Sequence, residues 1–232
     1  MKSHLPTHLA QNSPQGLKLN EPIAQFEIGE LRNFIYLILD WKTHQAAIVD
    51  PQADLSAPRK ALAENGFTLS AVFLTHSHHD HVAGVPELAR SIPPIPIYLH
   101  ADDSFRLKPL KEQDRLKFLK DQDQVKIGDL VITAHHTPGH SIGELSYFFT
   151  ADRPYLFTGD TVFIRDCGRT DFATGSNEEM FASIQKIKTL PPETVFLPGH
   201  HYAPECATTL SAELEASPPF RCKNVEELKA LP

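Results

Sequence analysis

Four apolar runs in this chain each lead into a short polar turn carrying histidine or aspartate. That repetition constrains the fold more than any other feature. SAVFLT at 70–75 runs into His76-Ser77-His78-His79-Asp80-His81. The run ending at His136 is followed by Thr137-Pro138-Gly139-His140, PYLF by Thr158-Gly159-Asp160, and TVF by Leu197-Pro198-Gly199-His200. The runs are short and rich in β-branched and aromatic residues, so they read as strands. Strand ends on one rim of a sheet can converge on a common site, and the loops there carry the chemistry.

His76 and His78 are two residues apart, so in an extended segment they point the same way. Neutral imidazoles grouped with a carboxylate suit a borderline divalent ion, zinc above all. The candidate ligands are His76, His78, Asp80, His81, His140, Asp160 and His200. Seven are more than one tetrahedral zinc can take, which favours two ions sharing a bridging group. Asp160 is the natural bridge, since a carboxylate has two oxygens. A hydroxide held between two ions would be nucleophilic at neutral pH. Cys167 reads as a packed thiol rather than a further soft ligand. His4, His8 and His44 are expected at the surface and His100 in a structural role. His79, His135, His136 and His201 are candidates for lining or supporting the site.

Elsewhere the chain reads as strands at 23–29, 34–40 and 45–51, then a helix over 54–66. Ser56 would cap that helix, Pro58 suits its first turn, and Asn65-Gly66 offers a left-handed stop. A short helix at 82–90 and a strand at 96–100 follow. The charged stretch 101–128 is expected to hold one helix and a turn at Gly128. Further strands fall at 130–136, 144–150, 154–160 and 194–200, with a helix over 207–216. Ser176 and Glu179 form a capping box ahead of Met180, Phe181, Ile184 and Ile187, which share one helical face. Hairpin-like strand pairs dominate each half, so a two-sheet core with helices outside is expected rather than a doubly wound sheet. One catalytic domain is expected over 21–232, behind a flexible tail at 1–20 broken by Pro6, Pro14 and Gly16.

Charge and composition narrow the partners. Lys+Arg number 22 against 29 Asp+Glu, for a formal charge of -7, and no basic stripe appears. This argues against nucleic acid and anionic membrane. No apolar run is long enough for a secretory signal or a membrane span. Three scattered cysteines argue against a disulfide framework and for a reducing compartment, so a cytoplasmic location is expected. The expected partner is a small molecule, and the expected state a monomer or homodimer.

THSHHDH, TPGH, TGD and PGH together resemble the motifs of the metallo-β-lactamase superfamily. The resemblance is nearest to its short glyoxalase II-like branch, which hydrolyses glutathione thioesters. It implies an α/β (α+β) chain folded as an αββα sandwich. It also implies that His76, His78 and His140 hold a first metal, that Asp80, His81 and His200 hold a second, and that Asp160 bridges them. The implied enzyme is a binuclear metal-dependent thioesterase. Metal-bound hydroxide would attack a hydroxyacylglutathione, with Asp80 and Asp160 in the catalytic set and zinc, iron or manganese as the ions.

The CGRTDF stretch at 167–172 is similar to one in the persulfide dioxygenases of the same superfamily. Those would use one Fe(II) on His76, His140 and Asp160 to oxidise glutathione persulfide to sulfite and glutathione. Arg169 could pair with a glutathione carboxylate, the alternative being that Arg169 and Asp171 pin a loop, and Tyr202 joins Arg169 in the substrate-binding set. Two departures stand out. His201 occupies the place where longer glyoxalase II enzymes have Glu, and only about thirty residues follow His200, too few for their C-terminal helical domain.

Overall fold

The strand β2 (Asn33–Asp40) is buried along its whole length, and its alternating side chains enter two different layers. Tyr36 and Ile38 pack with Tyr147, Phe149, Tyr155, Phe157, Val195 and Leu197 of a second sheet. Ile35, Leu37 and Leu39 face the other way, against Leu55, Leu62, Val82 and Leu88 of the outer helices and loops. A period of two in a strand with no polar face produces this double burial.

The computed structural model describes residues 21–91, 95–107 and 114–231. Its first sheet joins β1 (Ile23–Ile28), β2, β3 (Gln45–Val49), β4 (Thr68–Phe73), β5 (Ile97–Leu99) and β6 (Leu116–Phe118), in that order. The first three strands are antiparallel and the rest add in parallel. The second sheet contains β7 (Gln124–Ile127), β8 (Leu130–His136), β9 (Leu145–Thr150), β10 (Pro154–Gly159), β13 (Val195–Pro198) and β14 (Thr208–Thr209). Its order is β14-β13-β10-β9-β8-β7, while β11 (Val162–Phe163) and β12 (Asp166–Cys167) form a separate small ribbon.

Met180, Ile184, Ile187, Leu210, Phe220 and Leu228 cover the outer face of the second sheet at Leu156 and Phe196. Helices thus flank both sheets, and the layers run αββα. Strands β8, β10 and β13 point in one direction, because β9 is antiparallel to both β8 and β10 while β13 is parallel to β10. The polar turns after these three strands therefore share one rim.

Several local expectations hold. Ser176 caps the helix Asn177–Ile187 by accepting from the Glu179 backbone N–H, and Gly66 ends the helix Ser56–Glu64 in the left-handed region at φ +68°. Others need correction. Ser56 is the first helical residue rather than the cap: Leu55 holds the cap position, and the Asp54 carboxylate accepts from the Ser56 N–H at 2.9 Å. The helix expected at 82–90 is two pieces, His79–Val82 and Val85–Ser91. Between them the Gly84 N–H leaves the helical ladder and donates to the Pro51 carbonyl at 2.8 Å.

Among its described residues the stretch 101–128 holds a 3-10 turn (Ala101–Leu107) and then β6 and β7, while the part of the expected helix that falls on 108–113 lies outside the described residues. Short edge strands with mixed polarity give little periodic signal. The helix expected over 207–216 begins only at Leu210, because Thr208 and Thr209 pair with β13 first. The tail at 1–20 lies outside the described residues. No described helix is long and apolar enough to cross a membrane.

Candidate metal centre

Each polar turn delivers its side chain to the same place, and the backbone explains why. The turn after β4 is tied to the second sheet by the Leu145 N–H, which donates to the Thr75 carbonyl at 2.8 Å. The turn after β13 is held on both sides. The Gly199 N–H donates to the Gly159 carbonyl, and the Gly199 carbonyl accepts from Phe34 N–H, both at 2.8 Å. Gly199 has to be glycine, because a Cβ there would lie 2.9 Å from the His81 ring and press on the Asp160 carboxylate.

All seven residues singled out from the sequence come together. Three overlapping groups of donor atoms form: His76 with His78 and His140; His76 with His81 and Asp160; and Asp80 with His81 and His200. In the first group the His78 Nδ1 lies 3.0 Å from His76 Nε2 and 2.9 Å from His140 Nε2. In the third, His81 Nε2 and His200 Nε2 are 3.2 Å apart, with Asp80 Oδ2 at 3.5 and 3.4 Å from them. Asp160 spans the two sides. Its Oδ2 is 3.6 Å from His140 Nε2 and 3.3 Å from His200 Nε2, while Oδ1 is 3.5 Å from His81 Nε2.

The outer nitrogens of these rings are already engaged. His140 Nδ1 donates to the Arg169 carbonyl at 2.9 Å, and His200 Nδ1 to the Leu31 carbonyl at 2.8 Å. His81 Nδ1 meets the Asp50 carboxylate at 3.1 Å. These bonds fix the proton on Nδ1 and leave the Nε2 lone pairs of His81 and His200 facing one another, an arrangement that calls for a cation between them. Asp160 Oδ1 is buried and has no hydrogen-bond partner. A buried unpartnered carboxylate oxygen is costly unless a cation satisfies it. The donor set fits two metal ions.

Electrostatics agree. Burial, then the charge of His81 nearby, pushes the His76 pKa well below the usual histidine value. Burial and the neighbouring His140 and Arg106 bring His78 down to about 4. Burial opposes ionisation of Asp160, but His81 and His200 outweigh it and hold its carboxyl well below the usual range. His76 and His78 are thus kept neutral beside a carboxylate kept charged, as a divalent ion needs. At His81 burial opposes the charge, but Asp160 and Asp50 outweigh it and raise the ring well above the usual histidine value, so without an ion this ring carries the positive charge that balances Asp160.

Four supporting residues are absent from the sequence expectations. Asn33, buried at the start of β2, donates its amide to Asp80 Oδ2 at 2.9 Å. Asp50 accepts from the Thr75 N–H and hydroxyl at 2.8 and 2.7 Å besides holding His81. Glu144 accepts from the Asp160 N–H at 2.7 Å, and Asp103 accepts from the Ser141 and Ser77 hydroxyls at 2.5 and 3.4 Å. Asp50 carried a signal, since it closes the strand AAIVD much as Asp160 closes its own. Asn33 carried none, because its partners lie 47 residues or more away.

The remaining histidines are placed differently. His79 is exposed, as is His44. His100 stacks on His136 at 4.4 Å, and His135 contacts Phe148. His201 is buried and binds Glu27 and Arg32. Cys167 packs beneath the second sheet, its thiol pushed up to about 12 by burial and the nearby Asp166. Arg169 is exposed, forms a two-pronged pair with Asp171 at 2.6 and 2.7 Å, and lies over the Phe172 ring. Tyr202 stacks on the His200 ring at 4.7 Å and is 57 % exposed.

The sequence profile of the Metallo-beta-lactamase superfamily matches residues 28–200, which contain all seven donors. The chain belongs to that superfamily. Its αββα layering is the metallo-beta-lactamase fold. Among curated superfamily relatives, it is 35 % identical over 202 residues to the hydroxyacylglutathione hydrolase of Hamiltonella defensa subsp. Acyrthosiphon pisum, covering 85 % of this chain and 75 % of that protein. Among solved structures it is similar to ETHE1 from Myxococcus xanthus, with a TM-score of 0.78, 29 % identity, and 90 % and 92 % of the two chains covered. It is also similar to TTHA1623 in a di-iron-bound form, with a TM-score of 0.70, 26 % identity, and 84 % and 98 % covered. The superfamily fold and the paired donor groups support metal-dependent catalysis of a hydrolase or dioxygenase kind.

Proposed function

We propose that the chain is a binuclear metallohydrolase that cleaves a thioester, specifically a hydroxyacylglutathione. His76, His78 and His140 hold one divalent ion, Asp80, His81 and His200 hold the other, and Asp160 touches both, with zinc the first choice of metal and iron or manganese the alternatives. The observation that carries this reading is the position of Asp160, whose two oxygens lie within 3.6 Å of nitrogens from both groups. The 35 % identity to a hydroxyacylglutathione hydrolase supports the substrate class.

Divalent ions bound by these residues would supply Lewis acidity, polarising the thioester carbonyl and lowering the pKa of water. In the reaction, water supplies its oxygen to the acyl carbon, the C–S bond breaks, and a carboxylate and a thiol leave. The protein's part is preorganisation. Asp50, Asn33 and the carbonyls of Leu31 and Arg169 fix the donor groups before substrate arrives, so no reorientation is needed at the reacting centre. Arg169, at the exposed lip beside His140, is the group for a carboxylate of the thiol carrier, once it exchanges Asp171 for substrate.

A second reading is a mononuclear iron persulfide dioxygenase on His76, His140 and Asp160, favoured by the CGRTDF stretch. Oxygen uptake separates the two. Hydrolysis of S-lactoylglutathione at the same rate in air and under argon, one thiol released per acid formed, supports the hydrolase. Consumption of O₂ with glutathione persulfide, and no thioester cleavage, overturns it.

A further inference from the structure

The two sides of the site mouth differ in chemistry. Beside His78 lie two guanidinium groups. Arg106 donates to the Ser77 hydroxyl at 3.4 Å, and Arg169 sits over Phe172, whose ring packs 5.1 Å from that of His78. Beside His200 the exposed lip is formed by an aromatic and an aliphatic side chain. Tyr202 lies flat on the His200 ring, with ring planes 10° apart, and its edge meets Phe163 at 5.2 Å. Leu31, whose carbonyl fixes His200, is 55 % exposed.

Tyr202 and Leu31 are the two most exposed large apolar side chains among the described residues. Exposed apolar residues scattered singly carry little meaning, but a pair fixed to one metal-site histidine is a built surface. The Tyr202 ring is held by two aromatic contacts, so little freedom is lost when a ligand covers it.

We propose that Tyr202 and Leu31 form a specificity wall for an apolar or aromatic substituent on the acyl group, while the anionic thiol carrier lies on the Arg106–Arg169 side. The proposal rests on the thioesterase reading and adds the acyl class to it. The preferred substrate is a hydroxyacyl thioester bearing a ring or alkyl chain rather than a bare methyl group. A wall that removes several apolar carbons from water discriminates by about tenfold or more.

The test pairs turnover with binding, using the metal-loaded full chain. The kcat/KM for S-mandeloylglutathione is expected to exceed that for S-lactoylglutathione about tenfold, mainly through KM. The non-hydrolysable thioether S-benzylglutathione is expected to bind at least about tenfold more tightly than S-methylglutathione by calorimetry. Tyr202→Ala brings both ratios toward one at unchanged metal content, and Tyr202→Phe restores them. Equal binding of the two thioethers, or ratios untouched by Tyr202→Ala, overturns the wall. Preferential binding of the benzyl compound without cleavage of either thioester leaves the wall standing and overturns the thioesterase reading instead.

Discussion

The Asn33 amide donates to the Asp80 carboxylate at 2.9 Å, joining the first residue of a buried strand to the histidine-rich turn 47 positions later. The same amide nitrogen lies 3.5 Å from the Nε2 atoms of both His81 and His200. Asn33 also forms an isolated β-bridge with His200, so backbone and side chain together hold one half of the metal centre.

Loss of this link should fall on one ion more than the other. Asn33→Ala is expected to weaken the site at Asp80, His81 and His200 by about 10–100-fold, the usual cost of removing a residue that orients ligands. The site at His76, His78 and His140 should change far less. Stepwise competition with a chelator checks this, and equal weakening of both sites would count against the assignment.

Asp50 acts at the root of the turn. Its carboxylate takes three hydrogen bonds, from the Thr75 N–H, the Thr75 hydroxyl and His81 Nδ1. Asp50→Ala strands these buried donors and should cost about 3–5 kcal/mol in urea unfolding of the metal-free protein. A cost below about 1 kcal/mol would show that the network adds little to the fold.

Asp40 gives a pH dependence away from the metals. Burial disfavours its charge, but the Thr43 hydroxyl and the N–H groups of Asp129 and Lys42 prevail and lower its pKa. A lowered folded pKa means stabilisation that is fully present above the unfolded value of about 3.9 and is lost as pH falls through the folded one. Asp40→Asn should therefore cost about 1–2 kcal/mol at neutral pH. The gap to wild type should narrow in denaturant titrations below about pH 4. A gap that stays constant down to pH 2 would contradict this.

What the sequence revealed depended on how far each cause lies from its effect. The histidines and aspartates at strand ends were legible because each motif is local: an apolar run, a glycine, a donor. The sandwich followed from the same runs. Asn33, Glu144 and Asp103 were not legible, since their value lies in contacts to distant turns that only the closed sandwich creates. The strands β6 and β7 were missed because they are only three and four residues long, too short for a periodic signal even though β7 alternates with Val125 and Ile127 buried. Ser56 misled for a different reason. Any serine before a helical stretch can cap it, but here Asp54 reached the free N–H first.

Metal content per chain tests the central claim most directly. Two ions per chain are expected in the purified protein by elemental analysis. About one is expected after His200→Ala, which leaves the group of His76, His78 and His140 intact, and less than one after Asp160→Ala, which removes the group shared by both sides. A single ion per wild-type chain, unchanged by His200→Ala, would contradict it.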